Sequence, residues 1–199
     1  MARVSSPEFW DGIYAAGGDG WELGGPAPPL VDFVHSTPPR AGRVAVVGCG
    51  RGHDARFLAA QGYVVTAFDF STAALTAARA LAHRDGAPVT FEQRDIFTLA
   101  SDFAHAFDGV WEYTCYCAID PRRRREYVDV MHAIVRPGGW LLGCFFPLQA
   151  QSAGPPFKVS ASEIRRVLMP AFRIERAFMP LRSARGRQGR EWMVVARRA

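Results

Sequence analysis

Lysine is almost missing from this chain. Lys158 is the only one, and the formal net charge of +5 rests on arginine. Such a bias, beside abundant alanine and glycine, reflects genome composition more than a ligand. Long apolar runs are missing too. No stretch approaches the roughly 20 residues of a membrane span, and the opening Met-Ala-Arg-Val-Ser-Ser lacks the pattern of a signal peptide. A soluble, cytoplasmic protein with no membrane partner is expected. Cysteine is sparse. Cys49, Cys115, Cys117 and Cys144 include no C-x-x-C pair, so no metal site is expected from spacing. In a reducing compartment they are free thiols. Aromatic residues do not interleave with the one basic run, Arg122–Arg125, which lowers the case for nucleic acid. That run follows Asp120-Pro121 and precedes Glu126, and reads as the solvated start of a helix.

What is present is a patterned α/β chain of 199 residues, enough for one domain with a sizeable core. Ser6 and Pro7 open a short helix to about Tyr14, and a second covers Leu30–His35. Between them, 17–29 is a Gly/Pro-rich loop. Strands are expected at Arg43–Val47, Val64–Asp69, Val89–Gln93, Gly109–Tyr113 and Trp140–Phe146. Helices follow at His53–Gln61, after Ser71 through Leu81, and at Pro121–Val135, the last ended by Gly138-Gly139. Ser160 to Glu163 reads as a capping box for a helix to Met169. Two final strands, Ala171–Phe178 and Glu191–Arg197, flank a loop at 182–190. Alternating strand and helix implies a parallel sheet with helices on both faces. The last pair would be antiparallel at its edge.

The chemistry gathers at Val44-Ala-Val-Val-Gly-Cys-Gly-Arg-Gly-His53. An apolar strand enters a glycine turn and then a helix. About 20 residues on, Asp69 ends the second strand, the spacing of a nucleotide-type cofactor site. Gly48 permits the tight turn, and Gly50 lets a ligand approach the backbone. The G-x-G-x-G spacing is tighter than the dinucleotide fingerprint and suits a ligand without pyrophosphate, such as S-adenosylmethionine. Asp69 would accept the two ribose hydroxyls. Asp95-Ile96, after the third strand, would read adenine. The carboxyl ends of the strands, where ligands of open α/β sheets bind, also hold Glu112–Cys117 and Phe146-Pro147.

Several stretches resemble one family. They are Phe9-Trp10 with Gly20-Trp21-Glu-Leu-Gly24 and Pro28-Pro-Leu30, Gly48-Cys-Gly-Arg-Gly-His-Asp54, and Asp95-Ile-Phe97. Further on come Phe107-Asp-Gly-Val-Trp-Glu-Tyr-Thr-Cys-Tyr-Cys-Ala-Ile-Asp-Pro121, Arg136-Pro-Gly-Gly139, Phe146-Pro147 and Gly154-Pro-Pro-Phe-Lys-Val159. Together they resemble class I S-adenosylmethionine-dependent methyltransferases of the thiopurine S-methyltransferase-like family, in its halide/thiocyanate/thiol branch. The resemblance implies a Rossmann-like, seven-stranded, mostly parallel sheet with an antiparallel edge strand. It implies one domain over 1–199, with 1–35 as an amino-terminal lid over the cofactor. It places cofactor contacts at Trp10, Trp21, Gly48, Asp69, Asp95, Ile96 and Tyr113, with Trp10 and Tyr113 also walling the reacting atoms.

Methyl transfer from a sulfonium needs alignment and exclusion of water more than a strong catalyst. Trp10, Trp21, Trp111, Tyr113, Tyr116 and Phe146 are candidate walls, their faces also suited to the sulfonium charge. His53, Glu112 and Asp120 are candidate bases. After the fourth strand stands Glu112-Tyr113-Thr114-Cys115 rather than the Asn/Asp-Pro-Pro run of amine methyltransferases. A small soft acceptor is expected: a thiol, thiocyanate, sulfide or halide. Phe146 replaces the tyrosine common before proline in plant halide enzymes, which weakens halide as the native acceptor. A metalloid methyltransferase using the cysteines, and a non-catalytic cofactor- or RNA-binding module, are the alternatives. Oligomeric state is not legible.

Overall fold

A computed structural model describes residues 3–148, 154–169 and 171–199. Two helices, α1 (Pro7–Ala15) and α2 (Pro28–Ser36), precede the sheet. The first half then runs β1 (Arg43–Val47), α3 (His53–Ala60), β2 (Val64–Asp69), α4 (Thr72–Asp85) and β3 (Val89–Gln93). A 3-10 turn at Ile96–Thr98 and the short α5 (Leu99–Asp102) lead to β4 (Phe107–Tyr113). The second half holds α6 (Arg124–Ile134), β5 (Val135–Phe145), α7 (Ala161–Leu168), β6 (Phe172–Phe178) and β7 (Trp192–Arg198).

The seven strands form one sheet in the order β3-β2-β1-β4-β5-β7-β6. All neighbours from β3 to β5 pair in parallel. β7 is reversed between β5 and β6, so the antiparallel pair lies at the sheet edge as expected. Successive strand residues face opposite sides. Ala45 and Val47 therefore join Val110, Leu141 and the apolar faces of α6 and α7 in one core cluster. Val44 and Val46 join Trp111, Trp140 and residues of α2 and α3 in the other. Burial on both faces explains why these strands read as continuous apolar runs rather than as alternation.

Three local expectations are corrected. Gly138-Gly139 does not end a helix. α6 stops at Ile134 because Val135 is already extended (φ −80°, ψ 133°), and both glycines lie within β5. A register irregularity opposite Phe107–Gly109 accommodates the extra residues there. Pro121–Arg123 forms a 3-10 turn ahead of α6, capped by Asp120, which accepts the Arg122 N–H. Ser6 holds the N-cap position of α1 but gives no side-chain cap; its hydroxyl donates to the Glu8 carboxylate. Ser160 does cap α7, accepting the Glu163 N–H at 3.2 Å.

The arginine run is not uniformly solvated. Arg124 is 4% exposed, pairs with Glu163 at 2.6 Å and donates to the carbonyls of Lys158 and Phe157. Arg122, Arg123 and Arg125 pair with Asp120, Glu126 and Asp129. Among the described residues no helix is long and apolar enough to cross a membrane.

Candidate active site

The sheet's order reverses between β1 and β4, opening a crevice at the carboxyl ends of the strands. The glycine turn fills one side of it. Cys49 donates its N–H to the Phe68 carbonyl and Gly52 its N–H to the Cys49 carbonyl, both at 2.9 Å. Gly48 takes φ +58°, and a Cβ there would stand 2.8 Å from Cβ and Sγ of Cys115. A Cβ on Gly50 would face the Tyr14 hydroxyl at 3.1 Å.

Asp69 braces the turn from β2. One carboxylate oxygen accepts the Gly50 N–H and the other the Ser71 N–H, both at 2.9 Å. The residue is 8% exposed, and burial pushes its carboxyl up against the pull of these backbone donors. The carboxylate keeps accepting capacity beyond these backbone donors. Asp95 accepts the Phe97 N–H at 3.0 Å and caps the 3-10 turn, with Ile96 buried beside it.

The amino-terminal segment lines the crevice with Val4, Trp10, Tyr14 and Trp21. Trp10 donates its indole N–H to the Val4 carbonyl at 3.0 Å. Its ring meets that of Trp21 edge-on, with centroids 5.6 Å apart, and Trp21 meets Tyr14 in the same way. Asp11 fastens α1 to the start of α4, accepting from the Ser71 hydroxyl at 2.5 Å and the Ala73 N–H at 3.2 Å. Asp19 pairs with Arg51 at 2.6 Å, and Glu22 with His53 at 2.8 Å, joining the 17–27 loop to the glycine turn.

Trp10, Trp21, Gly48, Gly50, Asp69, Asp95, Ile96 and Tyr113 all line one cavity of about 210 Å³. Trp111 and Phe146 line it as well. Tyr116 does not. It is 2% exposed and packs edge-on against Tyr127 and Phe145 in the core, so its expected role as a pocket wall is withdrawn.

Nor does Glu112 line the cavity. It is 1% exposed, accepts the Tyr116 N–H at 2.9 Å and the Tyr127 hydroxyl, and burial raises its carboxyl to about 7. It holds the loop after β4, where Thr114 takes φ +66°. Asp120 lines the cavity, but Arg122 holds its carboxyl down at about 2, which makes it a weak base. Cys49, Cys115 and Cys117 reach the cavity as free thiols. Burial pushes Cys115 well up and Cys117 to about 12, so both stay protonated. Among the described residues no cluster of three His, Cys, Asp or Glu side chains could hold a metal.

Two functional residues escape a reading of the sequence. Arg187, in the loop between β6 and β7, is 6% exposed yet lines the cavity. It donates to the Tyr113 hydroxyl and to the Trp21 carbonyl, both at 2.7 Å. Its guanidinium carbon lies 4.8 Å from the Phe146 ring centre. Among the described residues no carboxylate forms a direct ion pair with it. Glu191, fully buried, accepts the Tyr113 hydroxyl at 2.6 Å. Only the charge-rich composition of that loop hinted at either residue.

Sheet order, glycine turn and strand-end acids fit S-adenosylmethionine, and together they define a class I methyltransferase that uses this cofactor. The narrower identity comes from likeness to known proteins. The chain belongs to the thiopurine S-methyltransferase family, whose model matches residues 5–193. It is 34% identical over 172 residues to "Probable thiol methyltransferase 2" of Arabidopsis thaliana, covering 85% of this chain and 75% of that one. With "Thiocyanate methyltransferase 1" of Brassica oleracea it shares 32% over 163 residues, 81% and 71% of the two chains. The solved structure of Burkholderia thailandensis 1,6-didemethyltoxoflavin-N1-methyltransferase has a TM-score of 0.75 at 24% identity. That match covers 97% of this chain and 87% of that one, and shows the shared fold.

Proposed function

We propose that this methyltransferase acts on a small soft nucleophile that reacts as an anion: a thiol, thiocyanate or hydrosulfide, with halide as a weaker acceptor. The observation that carries this is the buried Arg187 guanidinium at the cavity wall, free of a direct carboxylate partner among the described residues. A cation held away from water is costly unless an anion joins it. An anionic acceptor would supply that partner.

S-adenosylmethionine brings a methyl group already activated on a sulfonium. The residues of the chain position and desolvate. Gly48 and Gly50 admit the cofactor's close approach, Asp69 accepts from its ribose, and Asp95 with Ile96 frames its base. Trp10, Trp21 and Tyr113 wall the reacting atoms, with residues 1–35 acting as the lid. Arg187 and Phe146 take the acceptor, one by charge and one by an apolar face that strips water from it. The names of the plant relatives, a probable thiol methyltransferase and a thiocyanate methyltransferase, support this acceptor class.

The test is a methyl-transfer screen over thiocyanate, hydrosulfide, alkyl and aryl thiols, a thiopurine, iodide and arsenite, with products read by mass spectrometry. Turnover on a sulfur anion is expected. Arg187→Gln should raise the thiocyanate KM about tenfold or more while cofactor affinity changes little, the loss of a charge-assisted contact. Silence on every sulfur acceptor, or an Arg187→Gln variant with unchanged thiocyanate KM, would refute the acceptor assignment.

A further inference from the structure

A neutral thiol must lose its proton before it matches the site just proposed, and the two candidate bases of the cavity wall, His53 and Asp120, are already engaged. Asp120 is held low by Arg122, while His53 is engaged by Glu22 and by Arg56. Behind the wall, however, lies a continuous chain of hydrogen bonds. Arg187 donates to the Tyr113 oxygen at 2.7 Å, and the Tyr113 hydroxyl donates to Glu191 Oε1 at 2.6 Å. Glu191 is fully buried, and its Oε2 has no hydrogen-bond partner among the described residues. An orphaned buried carboxylate oxygen costs free energy.

We infer that Glu191 receives the proton of a thiol acceptor through the Tyr113 hydroxyl, so that the thiol becomes a thiolate beside Arg187 without releasing a proton to solvent. The inference rests on the proposed thiol and thiocyanate chemistry. The thiol S–H bond breaks and its proton joins the Tyr113 oxygen. The Tyr113 proton passes to Glu191 Oε1. The electron pair stays on sulfur, facing the guanidinium. One O–H bond forms on Glu191 for the S–H bond lost, and total charge is unchanged.

Tyr113 suits a relay rather than a reservoir. Burial, more than any neighbour, pushes its phenol well above the ordinary range, so it passes a proton on without remaining ionised. Two groups face Glu191 from the packed elements, Tyr113 on β4 and the Cys144 thiol on β5, and Arg187 is joined to it through the Tyr113 hydroxyl. Burial holds that thiol protonated. Permanent anions such as thiocyanate have no proton to give and bypass the path.

The first measurement uses the complex with S-adenosylhomocysteine, where no methyl transfer occurs. A thiol of cysteine's acidity, with a solution pKa near 8.5, is bound near neutral pH. Thiolate is read by ultraviolet difference absorbance. Proton release is read by calorimetry in buffers of different ionisation heat. The full chain should form thiolate while releasing far less than one proton per bound thiol. In Glu191→Gln every thiolate formed should release one. One-for-one release in the unaltered protein, or thiocyanate binding with no thiolate from the thiol, overturns the path. Failure of both thiol and thiocyanate to bind overturns the acceptor assignment itself, and the path with it.

Turnover supplies the second measurement and a second variant, should Glu191→Gln not fold. The ratio of alkyl-thiol to thiocyanate kcat/KM should fall about a hundredfold in Glu191→Gln and in Tyr113→Phe, the scale of a lost proton-transfer group. Equal losses on the two acceptors would mark both residues as structural and overturn the inference.

Discussion

The carboxylate of Asp69 accepts the backbone N–H of Gly50 at 2.9 Å, so the acid ending β2 and the second glycine of the turn form one unit. Asp69→Ala removes the proposed ribose acceptor and the brace together. Cofactor affinity should fall by about 1–3 kcal/mol, the value of charge-assisted hydrogen bonds. Calorimetric titration with S-adenosylhomocysteine measures it, and an unchanged Kd would discard the assignment of Asp69.

Gly48→Ala should destabilise the fold itself. The new Cβ meets Cys115 at 2.8 Å, and the residue must also hold φ +58°. About 1–3 kcal/mol is expected from overpacking and backbone strain. A thermal melt checks this; a Tm equal to that of the unaltered chain would mean that the turn and the Cys115 loop yield at no cost.

Glu112 predicts a pH dependence of stability. Burial outweighs the donors from Tyr127 and Tyr116 and raises its carboxyl to about 7 in the fold, above the ordinary glutamate value of 4.5. The folded state therefore binds the proton more tightly than the unfolded chain. The resulting stabilisation is complete below the unfolded pKa and is lost as pH rises through the folded one. Between about pH 5 and pH 8, the unaltered protein should lose on the order of 2–3 kcal/mol more than Glu112→Gln. Urea midpoints at several pH values decide it: parallel curves for the two proteins would show that Glu112 is ionised throughout.

Asp11→Ala tests the lid. Asp11 fastens α1 through Ser71 and Ala73, at the edge of the buried structure. Losing these bonds should cost roughly 1 kcal/mol or less in global stability. Cofactor dissociation, followed by stopped-flow fluorescence of Trp10 and Trp21, should quicken several-fold. An unchanged dissociation rate would leave the amino-terminal segment as packing only.

Much of the cofactor half was legible because its chemistry is local. Gly48 and Gly50 are neighbours in sequence, and Asp69 follows at the distance one strand–helix–strand unit dictates. The acceptor half was not legible, because Tyr113 meets Glu191 and Arg187 across 78 and 74 residues. No local period encodes such a meeting. The same limit hid the role of Arg124, whose partner Glu163 lies 39 residues on. The glycines at 138 and 139 misled for another reason. A Gly pair signals a helix stop or a strand irregularity equally well, and only pairing with β4 distinguishes them.

The reversal of β7 has a further consequence. Because Trp192 at its start pairs with Phe145 at the end of β5, the connection from β6 emerges at the rim where the parallel strands finish. A final parallel strand would begin at the opposite rim and carry its preceding connection away. One hairpin thus brings Arg187 and Glu191 to the Tyr113 hydroxyl at the rim of the cavity that the glycine turn also lines.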